Sequence, residues 1–199
     1  MSDFTTLRAL SGLPLAPVSL ADSVLVLIDC QNTYTRGVME LEGVQAALEE
    51  AAVLLDRARS AGIPVIHIQH DGGAGSPYDL ADEIGAIVPL VAPRDNESVV
   101  VKQYPNSFVQ TDLDGQLKAL DASHLVLAGF MTHMCVNSTA RGAFNLGYAP
   151  TVVAAATATR TLPGIADSPV PAAAMQSASL AAMADLFAVV VPGASDIPD

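Results

Sequence analysis

Short runs of apolar residues recur along the chain, separated by segments in which apolar residues return every three or four positions. An unbroken apolar run predicts a strand that is covered on both faces, because it leaves no polar face for water. The pattern predicts six strands, at 24–28, 63–68, 99–101, 124–128, 151–154 and 188–191.

Helical spacing of apolar residues fills most of the intervals between these runs, and it predicts helices over 41–61, 113–120, 134–146 and 171–186 and a weaker one over 79–87. Gly62 and Gly147 follow two of them, as glycines that end helices do. Strands that alternate with helices imply right-handed crossovers and a mostly parallel sheet. We therefore predict an α/β fold, a three-layer α/β/α sandwich of Rossmann-like type with a six-stranded sheet.

Length and composition define the class of protein further. With 199 residues, 51% of them hydrophobic and 15% charged, the chain predicts one globular domain over 1–199. Residues 1–22 are expected to form an extended N-terminal arm, and 161–171, with three prolines, a second irregular segment.

Charge and cysteine content indicate where the protein works and what it contacts. A net charge of −12 argues against nucleic-acid partners, which require clustered Lys and Arg. The first twenty residues have neither the apolar core of a signal peptide nor that of a membrane span, which predicts no membrane partner. Two cysteines without a secretory signal favour free thiols and a cytoplasmic location.

Cys135 lies where the fourth predicted strand gives way, through the turn 129–134, to a predicted helix. Backbone N–H groups at a helix start favour negative charge. We expect this position to lower the pKa of the thiol and to make it a nucleophile.

Other polar residues follow the strands at the same edge of the predicted sheet, where open α/β sheets bind ligands. Asp29 follows the first strand, His70 and Asp71 the second, and Lys102 the third. Asp29 is a candidate proton acceptor for the Cys135 thiol and a proton donor to a leaving amine, and Lys102 a candidate cation for the thiolate. The Cys135 N–H and one from the preceding turn are candidate oxyanion donors.

Three blocks of sequence carry a resemblance to a known family. They are Asp29-Cys30-Gln31-Asn32-Thr33-Tyr34, Lys102-Gln103-Tyr104-Pro105-Asn106-Ser107-Phe108, and Gly129 to Val136. In this order and at these strand ends they resemble the isochorismatase-like cysteine hydrolases, which include nicotinamidases and N-carbamoylsarcosine amidohydrolase. Asn106-Ser107 stands where the family pattern has Ser-Ala.

The resemblance implies a catalytic triad of Asp29, Lys102 and Cys135. It also implies a cis peptide bond between Phe130 and Met131 that aims the Met131 N–H at the oxyanion. Family members hydrolyse C–N bonds of small amides, ureides or lactams and assemble as dimers or tetramers. The expected partners are thus a small-molecule substrate and further copies of the chain, in a homodimer or homotetramer.

Candidate substrate-binding residues flank the triad positions in the sequence: Gln31, Tyr34, Phe108, Phe130 and His133. Tyr34, Phe108 and Phe130 are interpreted as one apolar wall, although aromatic residues near strand ends are often ordinary core. His133 has two interpretations, facing the substrate or facing solvent. Cys30 is interpreted as a packing residue.

A metal site is expected to be absent. Nicotinamidases of the resembling family bind a zinc-like ion through an Asp-x-His pair and further histidines. His70 is a candidate match for one of these histidines, in a variant metal site, but this chain has no histidine before position 67 and so lacks the Asp-x-His pair. His67 and His70 are three apart on a predicted strand and should point to opposite faces. No cofactor is required for the predicted chemistry.

The predicted function is that of a cysteine-dependent amidohydrolase that cleaves a C–N bond through a thioester. Two alternatives stay open at this point. A true isochorismatase cleaves a vinyl ether and, by resemblance, lacks the nucleophilic cysteine. A thiol-based redox protein would use a disulfide between Cys30 and Cys135 in place of turnover.

Overall fold

The protein is described by a computed structural model that covers residues 4–165 and 168–199, and six strands in these residues form one sheet. The strands are β1 (Val24–Ile28), β2 (Val65–His70), β3 (Ser98–Lys102), β4 (His124–Phe130), β5 (Ala149–Ala158) and β6 (Val189–Val191). All strand pairs are parallel, in the order β3-β2-β1-β4-β5-β6. The order reverses between β1 and β4, which is where such sheets open a crevice at the carboxyl ends of the strands.

The helices form a layer on each face of this sheet and confirm the predicted α/β fold. They are α1 (Leu7–Leu10), α2 (Val44–Ala61), α3 (Leu113–Ala119), α4 (Asn137–Asn145) and α5 (Ala172–Ala184). One buried cluster joins α2 to the sheet, and a second joins α3, α4 and Met183 of α5 to the other face. In the described ranges no helix combines the length and apolarity needed to cross a membrane.

The prediction of a helix over 79–87 is wrong. The structure has only a 3-10 turn there, Glu83–Gly85. The carboxylate of Asp79 accepts hydrogen bonds from the N–H groups of Gly75 and Ala81, and that of Asp82 accepts one from Ile84. Aspartates that bind nearby backbone N–H groups compete with helix formation. The segment therefore forms turns around Asp79 and Asp82 and not a helix.

Other boundaries differ from the predictions in ways that matter for the crevice. The second strand runs two residues further than predicted, so that His70 is its last residue. The fifth strand is longer at both ends than the predicted 151–154. The segment after β4 begins with one turn of π-helix, Thr132–Val136, before α4.

The predicted extended arm over 1–22 is also wrong in part. Its described residues include α1, whose first turn is capped by the Thr6 hydroxyl, and a 3-10 turn at Leu20–Asp22. Residues 1–3 of the arm, and 166–167 of the predicted irregular segment 161–171, lie outside the described residues.

Candidate active site

Asp29, Lys102 and Cys135 meet at the crevice, as the three sequence blocks predict. Asp29 directly follows β1, Lys102 ends β3, and Cys135 lies in the π-turn after β4. The Lys102 ammonium lies 2.7 Å from Asp29 Oδ2 and donates a hydrogen bond to Cys135 Sγ at 3.4 Å. Asp29 and Lys102 are fully buried and Cys135 is nearly so. A carboxylate, an ammonium and a thiol therefore share one desolvated site.

The backbone at the end of β1 turns Asp29 toward the thiol. Asp29 has φ +49°, a left-handed conformation that is uncommon for residues other than glycine and is often found at functional sites. On the neighbouring strand, a Cβ atom at Gly129 would lie 2.0 Å from the carbonyl oxygen of Ile28. Only glycine fits there, and its absent side chain lets the ends of β1 and β4 approach closely.

The turn that carries Cys135 is held by one carbonyl group. The oxygen of Met131 accepts hydrogen bonds from the N–H groups of Met134 and Val136, which fixes the π-turn against the end of β4. The preceding peptide bond, Phe130–Met131, is cis, in agreement with the family resemblance. Met131 itself is buried beside the thiol turn.

The segment after Lys102 is anchored to α4. The hydroxyl groups of Ser107 and Thr139 lie 2.8 Å apart, and Thr139 Oγ1 also accepts a hydrogen bond from the Ser107 N–H. The Asn106 side chain packs on Gly142, where a Cβ atom would lie 2.6 Å from it. These contacts tie the end of β3 to the helix that follows Cys135, and they account for Asn106-Ser107 in the second sequence block.

The electrostatics correct one expectation. We predicted that the helix start lowers the pKa of Cys135, but burial and the Asp29 carboxylate raise the pKa of this thiol to about 12, against the opposing effect of Lys102. Complete burial also raises the pKa of Asp29, while Lys102 and the Cys135 thiol oppose the rise. The resting site therefore holds a neutral thiol beside an Asp29–Lys102 ion pair.

Asp29 is well placed to take the thiol proton. Although Lys102 lies close to it, neither carboxylate oxygen has a well-aligned hydrogen-bond donor among the described residues. Because the ion pair leaves both oxygens free to accept a hydrogen bond, Asp29 can still act as a proton acceptor for Cys135.

This resting state predicts how Cys135 reacts with iodoacetamide. In a Cys30→Ala background, alkylation at pH 7 should be slower than that of free cysteine, because only the thiolate reacts. The rate should rise about tenfold per pH unit from pH 7 to pH 10, since the raised pKa lies above this range. Mass spectrometry of quenched samples gives the rate. A rate that is fast at pH 7 and flat above it would show a preformed thiolate instead.

Gln31 is not in a position to bind substrate through its amide group. Its Nε2 donates hydrogen bonds to the carbonyl oxygens of His70 and Gly85, and its Oε1 accepts one from the His70 N–H. The side chain is fully buried. The structure thus places Gln31 as a clamp between β1, the end of β2 and the turn at Glu83–Gly85.

The predicted apolar wall is only partly correct. Tyr34 and Phe130 pack edge to face with ring centroids 5.7 Å apart, and both are buried. Phe108 does not join them, because it stacks on Tyr148 and packs, partly buried, against the cluster that includes α3. Its place is taken by Tyr78, whose ring lies 5.8 Å from that of Tyr34.

Two further residues belong to the site: His70, which the sequence placed at this edge of the sheet without a role, and Tyr78, which the sequence did not place there. The His70 and Tyr78 rings pack edge to face at 4.8 Å, and His70 Nδ1 lies 3.2 Å from Lys102 Nζ. Tyr78 ends a Gly-rich stretch, and the only signal that it approaches the crevice was the position of that loop after β2. His133 lies half-buried, with Nδ1 2.6 Å from the Thr159 hydroxyl.

Cys30 lies apart from Cys135. Both cysteines are free, and Cys30 packs in the core cluster on the α2 face while Cys135 packs in the cluster on the opposite face. The Cys30 thiol donates a weak hydrogen bond to the Ile28 carbonyl oxygen, and burial raises its pKa. These observations agree with a packing role and not with a disulfide to Cys135.

The two histidines of β2 have different neighbours. His67 Nε2 lies 3.0 Å from Glu97, which also pairs with Arg59, whereas His70 faces Lys102. Across residues 4–165 and 168–199, no group of three or more His, Cys, Asp or Glu side chains is arranged to hold a metal ion.

Comparison with known proteins decides the family. A model of the isochorismatase domain matches residues 23–195. The chain belongs to the isochorismatase family. An isochorismatase from Pseudomonas putida KT2440 has a crystal structure that is 38% identical and superimposes with a TM-score of 0.93, with coverage of 96% of this chain and 98% of that one.

Two relatives in the family extend the comparison. The secreted isochorismatase effector Isc1 of Verticillium dahliae is 33% identical, over 96% of this chain and 97% of that protein. The ureidoacrylate amidohydrolase RutB of Variovorax paradoxus is 30% identical, over 68% of this chain and 70% of that protein. One family thus includes a secreted protein and a hydrolase of amides, and the cytoplasmic location of this chain stays a prediction.

Proposed function

We propose that this protein is a cysteine-dependent amidohydrolase that cleaves a C–N bond of a small amide, ureide or lactam through a thioester on Cys135. The observation that supports it most is the contact of Asp29, Lys102 and Cys135 in one buried site, with 2.7 Å and 3.4 Å between the lysine and its two partners. Relatives that hydrolyse amides support the bond class.

The first half of the reaction forms the thioester. Asp29 takes the proton of the Cys135 thiol, and the sulfur attacks the carbonyl carbon to form a C–S bond. The carbonyl oxygen becomes an oxyanion, to which the N–H groups of Met131 and Cys135 donate hydrogen bonds. The C–N bond then breaks, and Asp29 returns its proton to the leaving nitrogen.

The second half regenerates the enzyme. Asp29, again a carboxylate, takes a proton from water, and the water oxygen attacks the thioester carbon. The C–S bond breaks, and the proton returns to the sulfur. Lys102 keeps its charge throughout and faces whichever of its partners is negative, which stabilises the thiolate when Asp29 holds the proton. No cofactor enters these steps.

The contacts of Lys102 also explain why a thiol with a raised pKa suits this reaction. A thiolate preformed beside Asp29 would place two negative charges in a desolvated site. Proton transfer to Asp29 during attack leaves one negative charge beside one ammonium at every stage. The site therefore avoids an uncompensated charge, which is costly in a buried environment.

Ammonia release from a panel of small primary amides, ureides and lactams tests the proposal, with amine release followed for the lactams. We expect turnover of at least one class, with a hydrolysed acid as the second product. The enzyme used is the full chain, and its oligomeric state in solution is measured in the same preparation, because the predicted homodimer or homotetramer stays a prediction. Absence of turnover across all three classes would contradict the proposal.

A further inference from the structure

His70 occupies a defined place in the crevice that the proposed reaction does not use. It ends β2, and its register partner on β3 is Lys102. Paired residues on adjacent strands point to the same face of a sheet, so their side chains are neighbours. The resulting distance of 3.2 Å between His70 Nδ1 and Lys102 Nζ is a hydrogen-bond distance.

Charge and donor count fix which atom of His70 carries the proton. An ammonium group has three donors and no acceptor. The Lys102 ammonium pairs with Asp29 Oδ2 at 2.7 Å, donates a hydrogen bond to Cys135 Sγ at 3.4 Å, and lies 3.2 Å from His70 Nδ1. His70 Nδ1 therefore accepts, and the imidazole is the neutral form with its proton on Nε2.

The surroundings favour this neutral form. Burial and the Lys102 ammonium lower the pKa of His70, whereas the carboxylates of Asp29 and Asp71 act in the opposite direction. A second proton on the ring would place an N–H group against the ammonium. The imidazole therefore stays neutral beside the Lys102 ammonium and keeps its Nε2–H donor.

His70 is also held more rigidly than a surface histidine. The Gln31 side chain forms hydrogen bonds with both the backbone N–H and the backbone carbonyl oxygen of His70, and the Tyr78 ring packs on the His70 imidazole. The residue is only partly buried, and among residues 4–165 and 168–199 its ring makes a hydrogen-bond contact through Nδ1 and none through Nε2. A fixed ring with one unused, accessible donor is a preorganised binding group.

We propose that His70 is a substrate-binding residue whose Nε2–H donates a hydrogen bond to an acceptor atom on the acyl part of the substrate. This inference rests on the proposed function for the direction in which the substrate lies. The scissile carbonyl oxygen is assigned to the N–H groups of Met131 and Cys135, and the leaving nitrogen to Asp29. The part of the substrate left for His70 to contact is the acyl part. To accept this hydrogen bond, the acyl part must carry an oxygen or nitrogen lone pair.

Nuclear magnetic resonance of the histidine-¹⁵N-labelled Cys135→Ala protein tests this without turnover. The four histidines are few enough to assign by single substitution to Gln. Two-bond ¹H–¹⁵N spectra should show His70 with its proton on Nε2. Malonamide, which carries a second carbonyl, should shift the His70 Nε2–H signal, whereas isovaleramide, of similar size but without that acceptor, should not.

Three results of this experiment would overturn the proposal. They are a proton on Nδ1 of His70, an unchanged signal with malonamide, and equal shifts with both amides. Because binding is observed in a protein that cannot form the thioester, failure here is separate from failure of the proposed function, which is judged by ammonia release from the wild type.

Kinetics on any amide that the wild type hydrolyses adds a second readout. His70→Phe keeps an aromatic ring against Tyr78 but removes the donor, and should lower kcat/KM about 10- to 100-fold for substrates with an acyl acceptor. His70→Gln, which retains an N–H donor, should lose less. His124→Gln, at the start of β4 and the opposite end of the sheet, is the control. If His70→Phe lowers kcat/KM equally for substrates with and without an acyl acceptor, the proposed contact between His70 and the substrate is contradicted.

Discussion

Replacing Cys135 by alanine should lower ammonia release by about 10⁴-fold or more, because it removes the sulfur atom that forms the proposed thioester. The fold should be retained, since alanine at this nearly buried position leaves the π-turn bonds from Met131 untouched. The measurement is ammonia release under saturating substrate, with thermal unfolding to confirm that the variant is folded.

Cys30→Ala is the matched control for this experiment. It removes the other thiol of the chain, which is also buried and lies one residue from Asp29, but on the opposite core face. A cost in stability of about 1 kcal/mol is expected from the small cavity, with little change in turnover. Release that survives in Cys135→Ala would contradict the thioester mechanism, and equal losses in both variants would point to a general packing effect.

The fold was predictable because its signals are local. Apolar runs such as 24–28 and the apolar spacing between 44 and 58 directly report burial on both faces or on one face. The segment 79–87 misled the same reasoning, because Asp79 and Asp82 bind backbone N–H groups and hold turns that spacing does not report. Prediction failed where side chains compete with the helix for hydrogen bonds.

The meeting of Asp29, Lys102 and Cys135 was predictable because strand ends in a parallel sheet meet at one edge, and three residue blocks marked those ends. The contacts around these residues were not. His70 reaches Lys102 because β2 and β3 pair in a register that no single strand encodes. The pKa of Cys135 was predicted in the wrong direction because a helix start is visible in the sequence, whereas burial and the nearness of Asp29 depend on tertiary packing.

Asp29→Asn should lower turnover by about 10²- to 10⁴-fold, because the carboxamide cannot take the thiol proton. The backbone should tolerate the change, since asparagine adopts left-handed conformations readily and Asp29 has φ +49°. Stability should fall as well: the substitution leaves the fully buried Lys102 ammonium without its counter-charge, at a cost of about 3–5 kcal/mol. Chemical denaturation and ammonia release measure the two effects on the same protein.

Asp121→Asn provides a control for the backbone, because Asp121 has φ +52° but is exposed and is absent from the ion pairs of the described residues. It should change neither turnover nor stability appreciably. Adding Lys102→Met to Asp29→Asn removes the unpaired charge while keeping a side chain of similar length, so stability should recover while turnover stays lost. Recovery of turnover in the double variant would contradict the role of Asp29 as the proton acceptor. Failure of stability to recover would show that the ion pair is not what the single variant lost.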